Sequence, residues 1–533
     1  MYQQLQNNLT GIIKDKQQHL LAGGNIGLEK ESLRVDRGGE ISQNPHPARL
    51  GSALTNPYIT TDYSEALLEL ITPPLQGVSA TLEFLKKIHQ FVYTRLEDDE
   101  LLWNASMPCV VAGEASIPIA QYGNSNLGMM KTVYRRGLGY RYGKMMQVIA
   151  GVHFNYSVHD SFWAYYREFL NQGAPLQDFT SDQYFGLIRN LQRYGWLIYY
   201  LFGASPAICK SFLKGHSGSL EKFDDTTYYL PYATTLRMGD VGYTNKKESE
   251  SGVKACYDSI DHYVRCLTQA IEKPCGEYEK IGVKVSGEYR QLNANILQIE
   301  NEYYSTVRPK QPLVNNEKPS HALSQRGVQY IELRSLDLNL FDPLGISATQ
   351  LYFLEAFMIF CLLQESPIID AAERQAVDGN ENKAAHQGRD PAIRLARAGT
   401  KISIQEWGAE LLHAMQPICI MLDEQKNTHG YSAALQQQVA AIDNSSLTPS
   451  ARMLDEMHAN KEGFFEFSSR YSKMHQNQLC SSVLSDDDVK YFTHAVRQSV
   501  KKQRQIEVSD TISFDQFLDD YFSRTLSKRT EVA

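Results

Sequence analysis

The 533-residue chain contains no uninterrupted run of about 18 apolar residues, the length that a bilayer-spanning helix needs. Residues 1–14 are rich in Gln and Asn and lack the basic and apolar segments of a secretory signal. The net charge of −8 argues against a general nucleic-acid-binding protein, which usually carries a basic face. We therefore expect a cytoplasmic protein without membrane or nucleic-acid partners. A few local arginines could still hold anionic substrates.

The chain has an ordinary number of cysteines, eight, and none of them lies in a C-x-x-C pair. This absence argues against a zinc ribbon and against a thioredoxin-like redox site. Scattered reduced thiols are the usual state in a cytoplasmic protein, and we expect that state for all eight. They are Cys109, Cys209, Cys256, Cys266, Cys275, Cys361, Cys419 and Cys480.

Common nucleotide-binding and hydrolase motifs are also missing. No G-x-x-x-x-G-K-[ST], H-E-x-x-H or G-x-S-x-G sequence occurs. The glycines at 23–27 and 137–139 do not form G-x-G-x-x-G between a strand and a helix. Any bound phosphates must therefore be held by metal ions and arginines.

Strand-like segments are concentrated before residue 340, and helical segments dominate afterwards. Strands are predicted at Ile26–Leu33, Ala66–Ile71, Val148–Val158, Ile281–Val285, Ala294–Tyr304 and Val328–Leu333. Apolar spacing predicts helices at Thr81–Leu102, 161–203, 346–366, 402–426, 431–442 and 448–474. The stretch 205–250 is predicted to form long loops, and the polar stretch Ala372–Arg389 an exposed linker.

Short, regular alternation of strands and helices is absent, which disfavours a doubly wound parallel sheet. The pattern predicts an α+β fold with an antiparallel sheet and a largely helical C-terminal part. We expect residues 1–533 to form a single unit. Residues 10–345 would hold the sheet and its helical insertions, and residues 346–533 would be mainly helical.

Acidic residues recur on the polar faces of the predicted strands. Side chains two residues apart on a strand share a face, which pairs Glu29 with Glu31. The same spacing pairs His153 with Asn155, and Glu332 with Arg334. Glu69 interrupts an apolar strand, and Asp62 lies in a turn-like segment before it.

Two interpretations of this pattern stay open. Antiparallel strands often turn a polar face to water, which explains any single strand. Glu is depleted in strands, however, and neighbouring carboxylates would repel each other unless cations lie among them. Several carboxylates and one imidazole form an oxygen-rich set that suits Mg²⁺ or Mn²⁺, and Mg²⁺ commonly bridges phosphate oxygens.

Arginines accompany these segments, and a planar guanidinium suits bidentate capture of carboxylate or phosphate. For most of them surface salt bridges are the simpler explanation. Arg334 differs because it lies two residues from Glu332 on the predicted site face. The arginines considered are Arg135, Arg136, Arg237, Arg308 and Arg334.

Several long motifs together resemble the bacterial glutamate–cysteine ligases, in the monomeric form typical of gamma-proteobacteria. The resemblance extends in order from about residue 10 to beyond residue 500. It is carried by Gly27–Arg34 (GLEKESLR), Leu50–Thr55 (LGSALT), Thr60–Glu69 (TTDYSEALLE), Met145–Tyr156, Leu236–Tyr243 (LRMGDVGY), Leu297–Lys310 and Tyr330–Asp337 (YIELRSLD).

The resemblance implies a glutamine-synthetase-like catalytic fold, in which metal-binding carboxylates line a curved antiparallel sheet. It also implies the first step of glutathione biosynthesis. ATP would phosphorylate the γ-carboxylate of L-glutamate, and the amine of L-cysteine would displace phosphate from the resulting γ-glutamyl phosphate. The expected form is a monomer, with glutathione as a feedback inhibitor.

The resemblance further implies roles for individual residues. Arg334 would face the transferring phosphoryl group, Arg237 would bind a substrate carboxylate, and Arg135 would lie near substrate. The Mg²⁺ ions, or Mn²⁺ in their place, would be held by Glu29, Glu31, Asp62, Glu69, His153 and Glu332. The substrate-binding set would comprise Tyr63, Tyr134, Leu138, Gln147, Asn155, Arg237, Tyr243 and Tyr304.

Two other functions remain alternatives. One is an ATP-dependent carboxylate–amine ligase that uses a different amine on the same scaffold. The other, less favoured, is a metal-dependent phosphohydrolase, which would release phosphate without any amine acceptor. It would not require Arg237, Tyr243 and Tyr304 together.

Overall fold

The structure is a computed structural model, and it describes residues 2–97, 99–213, 218–242, 255–314 and 316–523. Its strands in chain order are β1 (Asn25–Val35), β2 (Ile59–Thr61), β3 (Leu67–Ile71), β4 (Leu75–Gln76), β5 (Leu101–Trp103), β6 (Val152–Ser157), β7 (Ala207–Cys209), β8 (Glu221–Lys222), β9 (Thr227–Tyr229), β10 (Lys284–Val285), β11 (Glu288–Tyr289), β12 (Val307–Lys310), β13 (Tyr330–Leu336), β14 (Arg394–Arg397) and β15 (Thr400–Ser403).

Helices surround these strands and fill most of the chain after residue 346. In chain order they are α1 (Gln3–Lys14), α2 (Gln18–Leu21), α3 (Val78–Tyr93), α4 (Asn126–Tyr142), α5 (Asp160–Phe169), α6 (Leu176–Tyr194), α7 (Trp196–Phe202), α8 (Ile260–Glu272), α9 (Gly276–Ile281), α10 (Pro319–Arg326), α11 (Ala348–Leu363), α12 (Ala371–Gln387), α13 (Ile404–Lys426), α14 (Gly430–Asp443), α15 (Pro449–Asn460), α16 (Phe464–Cys480), α17 (Asp486–Ser509) and α18 (Phe514–Ser523).

Within the described residues the main sheet has eight strands, and all their pairings are antiparallel. Its order is β12-β13-β6-β1-β3-β2, with β4 and β5 also paired to β1. The long strand β1 therefore lies at the centre and holds segments that are distant in sequence. This arrangement confirms the predicted α+β class with an antiparallel sheet and a largely helical C-terminal part.

A buried helix anchors the C-terminal part to the rest of the core. Helix α11 (ATQLYFLEAFMIFCLL) is apolar on nearly every side, and a helix of that kind belongs in the interior. It packs against α6, α13 and α14, and Ser347 and Gln350 close its N-terminus as a capping box. The division of the chain at about residue 345 stays a prediction.

Several predicted elements are wrong in type or extent. Ala294–Tyr304 contains no strand, only a 3-10 turn at Glu300–Glu302. Helix α9 extends to Ile281, which leaves only Lys284–Val285 as a strand. Helix α3 ends at Tyr93, and the predicted tail of that helix contains strand β5 instead. Short apolar runs are ambiguous between helix and strand, which accounts for these errors.

The predicted linker Ala372–Arg389 is wrong, because α12 covers most of it. The segment is polar, yet it is rich in Ala, Glu and Gln, which have high helix propensity. Asp370 caps its first turn, and Ala384 and Ala385 are buried. The predicted helix 448–474 is two helices, because Lys461 adopts a left-handed φ of 54° between α15 and α16.

The expectation that all cysteines are reduced is also wrong. Cys109 and Cys209 form a disulfide with a Cα–Cα distance of 5.4 Å, which lies within the usual range. Cys109 follows β5 and Cys209 ends β7, so the bond joins the main sheet region to a three-stranded sheet. Among the helices of the described ranges, none combines the length and the apolar character needed to cross a bilayer.

Candidate active site

The register of the main sheet brings the predicted acidic residues together. Glu29 on β1 lies opposite His153 on β6, and Glu31 lies opposite Glu69 on β3. One strand further along, Glu332 on β13 lies opposite Asn155 on β6. Side chains opposite each other in antiparallel strands are close neighbours, so four strands contribute to one patch of the sheet.

His153 lies at the centre of this patch. Its Nδ1 atom is 3.1 Å from Glu29 Oε2 and 3.6 Å from Glu332 Oε1. Its Nε2 atom is 3.5 Å from Glu31 Oε1. One ligand atom from each of Glu29, Glu69 and His153 lies within 4.8 Å of the other two, a spacing that suits a shared metal ion.

The patch is not a solvent-facing polar surface. Glu31 and Glu332 are only 3% and 1% exposed, and His153 is 4% exposed. Backbone and amide donors fix two of the carboxylates: Gly151 N donates to Glu31 at 2.7 Å, and Asn155 Nδ2 donates to Glu29 at 3.0 Å. The simple explanation of a polar face turned to water is therefore wrong for these strands.

Burial and mutual repulsion set the protonation of the carboxylates. Burial raises the pKa of Glu69 well above its usual value, and the carboxylates of Glu29 and Asp62 raise it further. Burial also raises the pKa of Glu31. Such a cluster of buried acidic groups favours a bound cation, because a positive charge would relieve both effects.

Two cationic side chains flank one edge of the cluster. Arg334 Nη1 lies 3.0 Å from Glu332 Oε1, and Lys310 Nζ lies 3.2 Å from Glu332 Oε2. Burial opposes ionisation of Glu332, but Lys310 and Arg334 outweigh it and hold the pKa of that carboxyl well below its usual value. The site therefore combines anionic ligands with adjacent cations that could face phosphate oxygens.

Arg237 is buried beside strand β13. Its Nη2 donates to the Arg334 carbonyl at 2.9 Å, and its Nη1 lies 3.9 Å from Asp337 Oδ1. The Asp337 carboxylate accepts hydrogen bonds from Ala204 N, Ser205 Oγ and Thr235 Oγ1. These bonds fix Asp337, which in turn holds the Arg237 guanidinium in place.

Comparisons with known proteins show the family of the chain. The family model of glutamate–cysteine ligases matches residues 9–384. The glutamate–cysteine ligase of Alcanivorax borkumensis is 46% identical over 507 residues, covering 94% of this chain and 96% of the relative. The one from a Janthinobacterium species is 44% identical over 514 residues, covering 96% and 97%. The chain belongs to the glutamate–cysteine ligase family.

Solved structures place the chain in the same family. It is similar to a crystal structure of the Francisella tularensis glutamate–cysteine ligase in complex with AMP, with a TM-score of 0.87 and 34% identity. That similarity covers 94% of this chain and 97% of the other. The chain is also similar to a crystal structure of a bifunctional glutathione synthetase from Pasteurella multocida, with a TM-score of 0.69 and 25% identity. That similarity covers 88% of this chain and 54% of the other.

The residues that the family resemblance assigns to substrate lie on several elements. Helix α4 carries Tyr134, Arg135 and Leu138, and Arg135 donates to the backbone carbonyl oxygens of Asp62 and Lys131. A Cβ built on Gly139 would lie 2.6 Å from Tyr63 Oη, so Tyr63 packs against this helix.

The remaining members of the substrate set lie near the sheet. Gln147 is half-buried in the 3-10 turn Met146–Val148, shortly before β6. Tyr304 Oη lies 3.6 Å from Met238 Sδ, beside Arg237. Tyr243 lies outside the described residues. The roles of all these residues stay predictions.

Two residues that were not predicted as site residues lie close to the site. Lys310 contacts Glu332, and Asp337 holds Arg237. Lys310 was missed because no strand was predicted over Val307–Lys310, which the structure pairs with β13. Nothing in the local sequence distinguishes Asp337, whose partners come from residues 204–235 and depend on the fold.

Proposed function

We propose that this chain joins the γ-carboxylate of L-glutamate to the amine of L-cysteine, at the expense of ATP, as the first step of glutathione biosynthesis. One observation carries the proposal: in a member of the glutamate–cysteine ligase family, carboxylates from three strands converge around His153 on a fourth. ATP transfers its terminal phosphoryl group to the glutamate carboxylate, which forms an acyl phosphate and releases ADP. The cysteine amine then attacks the acyl carbon, and phosphate leaves.

Magnesium fits the acidic patch as its bound cation, with Mn²⁺ as the alternative. The proposed ligands are Glu29, Glu31, Asp62, Glu69, His153 and Glu332. An oxygen-rich, acidic set of this kind matches the ligand preference of both ions, and the raised pKa of Glu69 supports a need for positive charge. Bound Mg²⁺ would neutralise phosphate charge, so that an anionic carboxylate can approach the nucleotide.

The cationic side chains around the patch would act on the charges of the substrates. Arg334 stabilises the negative charge on the transferring phosphoryl group, and its contact with Glu332 fixes the orientation of its guanidinium. Arg237 binds a substrate carboxylate, and Arg135 acts nearby. Positioning and fixed charges of this kind supply most of the acceleration in phosphoryl transfer.

The amino-acid substrates would be enclosed by Tyr63, Tyr134, Leu138, Gln147, Asn155, Tyr243 and Tyr304. Enclosure matters because water competes with the amine for the acyl phosphate. Burial of Tyr63 and the close packing of α4 against it support a site wall that excludes water. We also propose a cytoplasmic monomer whose activity glutathione inhibits. Light scattering and inhibition by added glutathione would test these two properties.

An assay of ADP release with a panel of amine acceptors tests the proposed reaction. Glutamate and ATP are held constant, and L-cysteine is compared with other small amino acids and with no amine. The proposal predicts the highest kcat/KM with cysteine. A higher value with another amine would favour the related carboxylate–amine ligase, and full phosphate release without an amine would favour the phosphohydrolase.

A further inference from the structure

A second group of metal-ligating side chains lies away from the acidic patch. Ligand atoms of Cys256, Asp258 and His262 all lie within 4.8 Å of one another. Cys256 and Asp258 are half-buried, and the His262 side chain is 52% exposed. The ligase reaction proposed above uses none of these residues.

The local structure explains why these side chains meet. Ser259 caps helix α8 by accepting a hydrogen bond from His262 N at 3.3 Å, which places His262 in the first turn. Asp258 precedes the cap, and its carboxylate lies 3.9 Å from His262 Nδ1. Cys256 is two residues before Asp258, and their ligand atoms lie within 4.8 Å of each other.

The backbone that carries the group is fixed by other residues. Arg189 Nη1 donates to the carbonyls of Tyr257 and Asp258 at 2.9 and 3.0 Å. The buried Tyr257 donates its hydroxyl to the Val307 carbonyl at 3.2 Å. None of these bonds uses a ligand atom of the group. The positions of Cys256 and Asp258 are therefore set before any ion binds, which favours tight binding.

We propose that Cys256, Asp258 and His262 bind a thiophilic divalent cation of the Zn²⁺ class, with water as the fourth ligand. One thiolate, one imidazole and one carboxylate form the mixed sulfur, nitrogen and oxygen set that such ions accept in tetrahedral sites completed by water. Mg²⁺ does not favour thiolate ligands, so the acidic patch and this site select different ions. Binding releases the Cys256 thiol proton to solvent, and the ion ties residues 256–258 to the first turn of α8.

Cobalt binding tests this site directly, because Co²⁺ bound to thiolate absorbs in the near ultraviolet and Co²⁺ in a carboxylate site does not. The metal-free, reduced full-length protein is titrated with Co²⁺ in excess Mg²⁺. We expect a thiolate-to-cobalt band that saturates at one ion per chain and disappears when Zn²⁺ is added. Absence of the band would overturn the proposal.

Two variants test the proposed ligands, and a third is the control. Cys256→Ser should abolish the band, and His262→Gln should weaken binding by about tenfold or more. Cys480→Ser, which changes an exposed cysteine at the end of α16, should leave the band and its saturation unchanged. His262 is exposed, so His262→Gln should keep the circular dichroism spectrum and the ligase turnover of the wild type. A band that is unchanged in Cys256→Ser would refute the assignment.

Discussion

Glu31 and Glu69 lie directly opposite each other on the two central strands β1 and β3. Like charges in this relationship destabilise a sheet, and the burial of Glu31 and partial burial of Glu69 strengthen their repulsion. The pKa of Glu69 accordingly lies well above its usual value, first through burial and then through neighbouring carboxylates. The arrangement lowers the stability of the metal-free protein and favours cation binding.

Glu69→Gln should therefore stabilise the metal-free protein while impairing the enzyme. Removing one charge should raise the free energy of unfolding by about 0.2–1 kcal/mol in the presence of a chelator. The same change should reduce the stabilisation that Mg²⁺ gives, because a ligand is lost. Urea unfolding with chelator and with Mg²⁺ measures both effects. Glu221→Gln, on an exposed strand, is the control. With chelator, a lower free energy of unfolding for Glu69→Gln than for the wild type would contradict the account.

Arg334→Lys should lower kcat more than it raises the KM for either amino acid. Lysine keeps the positive charge but lacks the planar fork that can contact Glu332 and a phosphoryl group together. Loss of one such contact to the transition state lowers kcat by a factor of about 10²–10³. Steady-state assays of ADP release measure the change. Arg326→Lys, which alters an exposed Arg–Glu pair, should be silent, and equal activities of the two variants would exclude the role of Arg334.

Gly151→Ala should disturb Arg237 without replacing any charged residue. A Cβ at Gly151 would overlap the Arg237 guanidinium, which cannot move away freely because it is bonded to the Arg334 carbonyl. Overpacking of this kind costs about 1–3 kcal/mol of stability. We expect a raised KM for an amino-acid substrate, since Arg237 is proposed to bind its carboxylate. Gly173→Ala is the control, because a Cβ there meets open space, and it should behave as wild type. Similar KM values for Gly151→Ala and Gly173→Ala would contradict this prediction.

Acid should destabilise the protein through His89, on the opposite face of the sheet. Burial and the adjacent Lys30 hold the pKa of His89 well below its usual value, and its ring nitrogens contact Lys30 Nζ and the Leu85 carbonyl. Below the unfolded-state pKa of about 6.5, the unfolded chain binds a proton that the folded chain does not bind. Stability should therefore fall as the pH drops below that value, by up to about 1.4 kcal/mol per pH unit for this group.

His89→Gln tests the contribution of that residue, because glutamine stays neutral at every pH. The variant should lose this part of the slope when unfolding by urea is measured between about pH 7 and pH 5. His494→Gln, on the exposed side of α17, should keep the wild-type slope. A slope that is identical in wild type and His89→Gln would show that another group causes the acid sensitivity.

Strand periodicity was sufficient to predict the face that carries Glu29, Glu31, His153 and Glu332, because a period of two is fixed by backbone geometry. It could not supply the register that places Glu31 opposite Glu69, since register depends on which strands pair. Family resemblance added the chemical roles, which periodicity alone does not give.

Other features depended on tertiary structure and were missed for that reason. Cys109 and Cys209 are 100 residues apart, so their spacing carries no information about a disulfide. Helix α12 has a polar sequence, and only its packing shows that Ala384 and Ala385 are buried. Asp337 becomes recognisable as a partner of Arg237 only when residues 204–235 are placed around it.

Anomalous scattering from Mn²⁺ in crystals of the protein with a non-hydrolysable ATP analogue tests the central claim most directly. The account predicts Mn²⁺ peaks within bonding distance of carboxylate oxygens of Glu29, Glu69 and Glu332, and between these residues and the phosphates. Glu332→Gln crystals should lose at least one peak. Ordered nucleotide with Mn²⁺ bound elsewhere, and the acidic patch unliganded, would contradict the account.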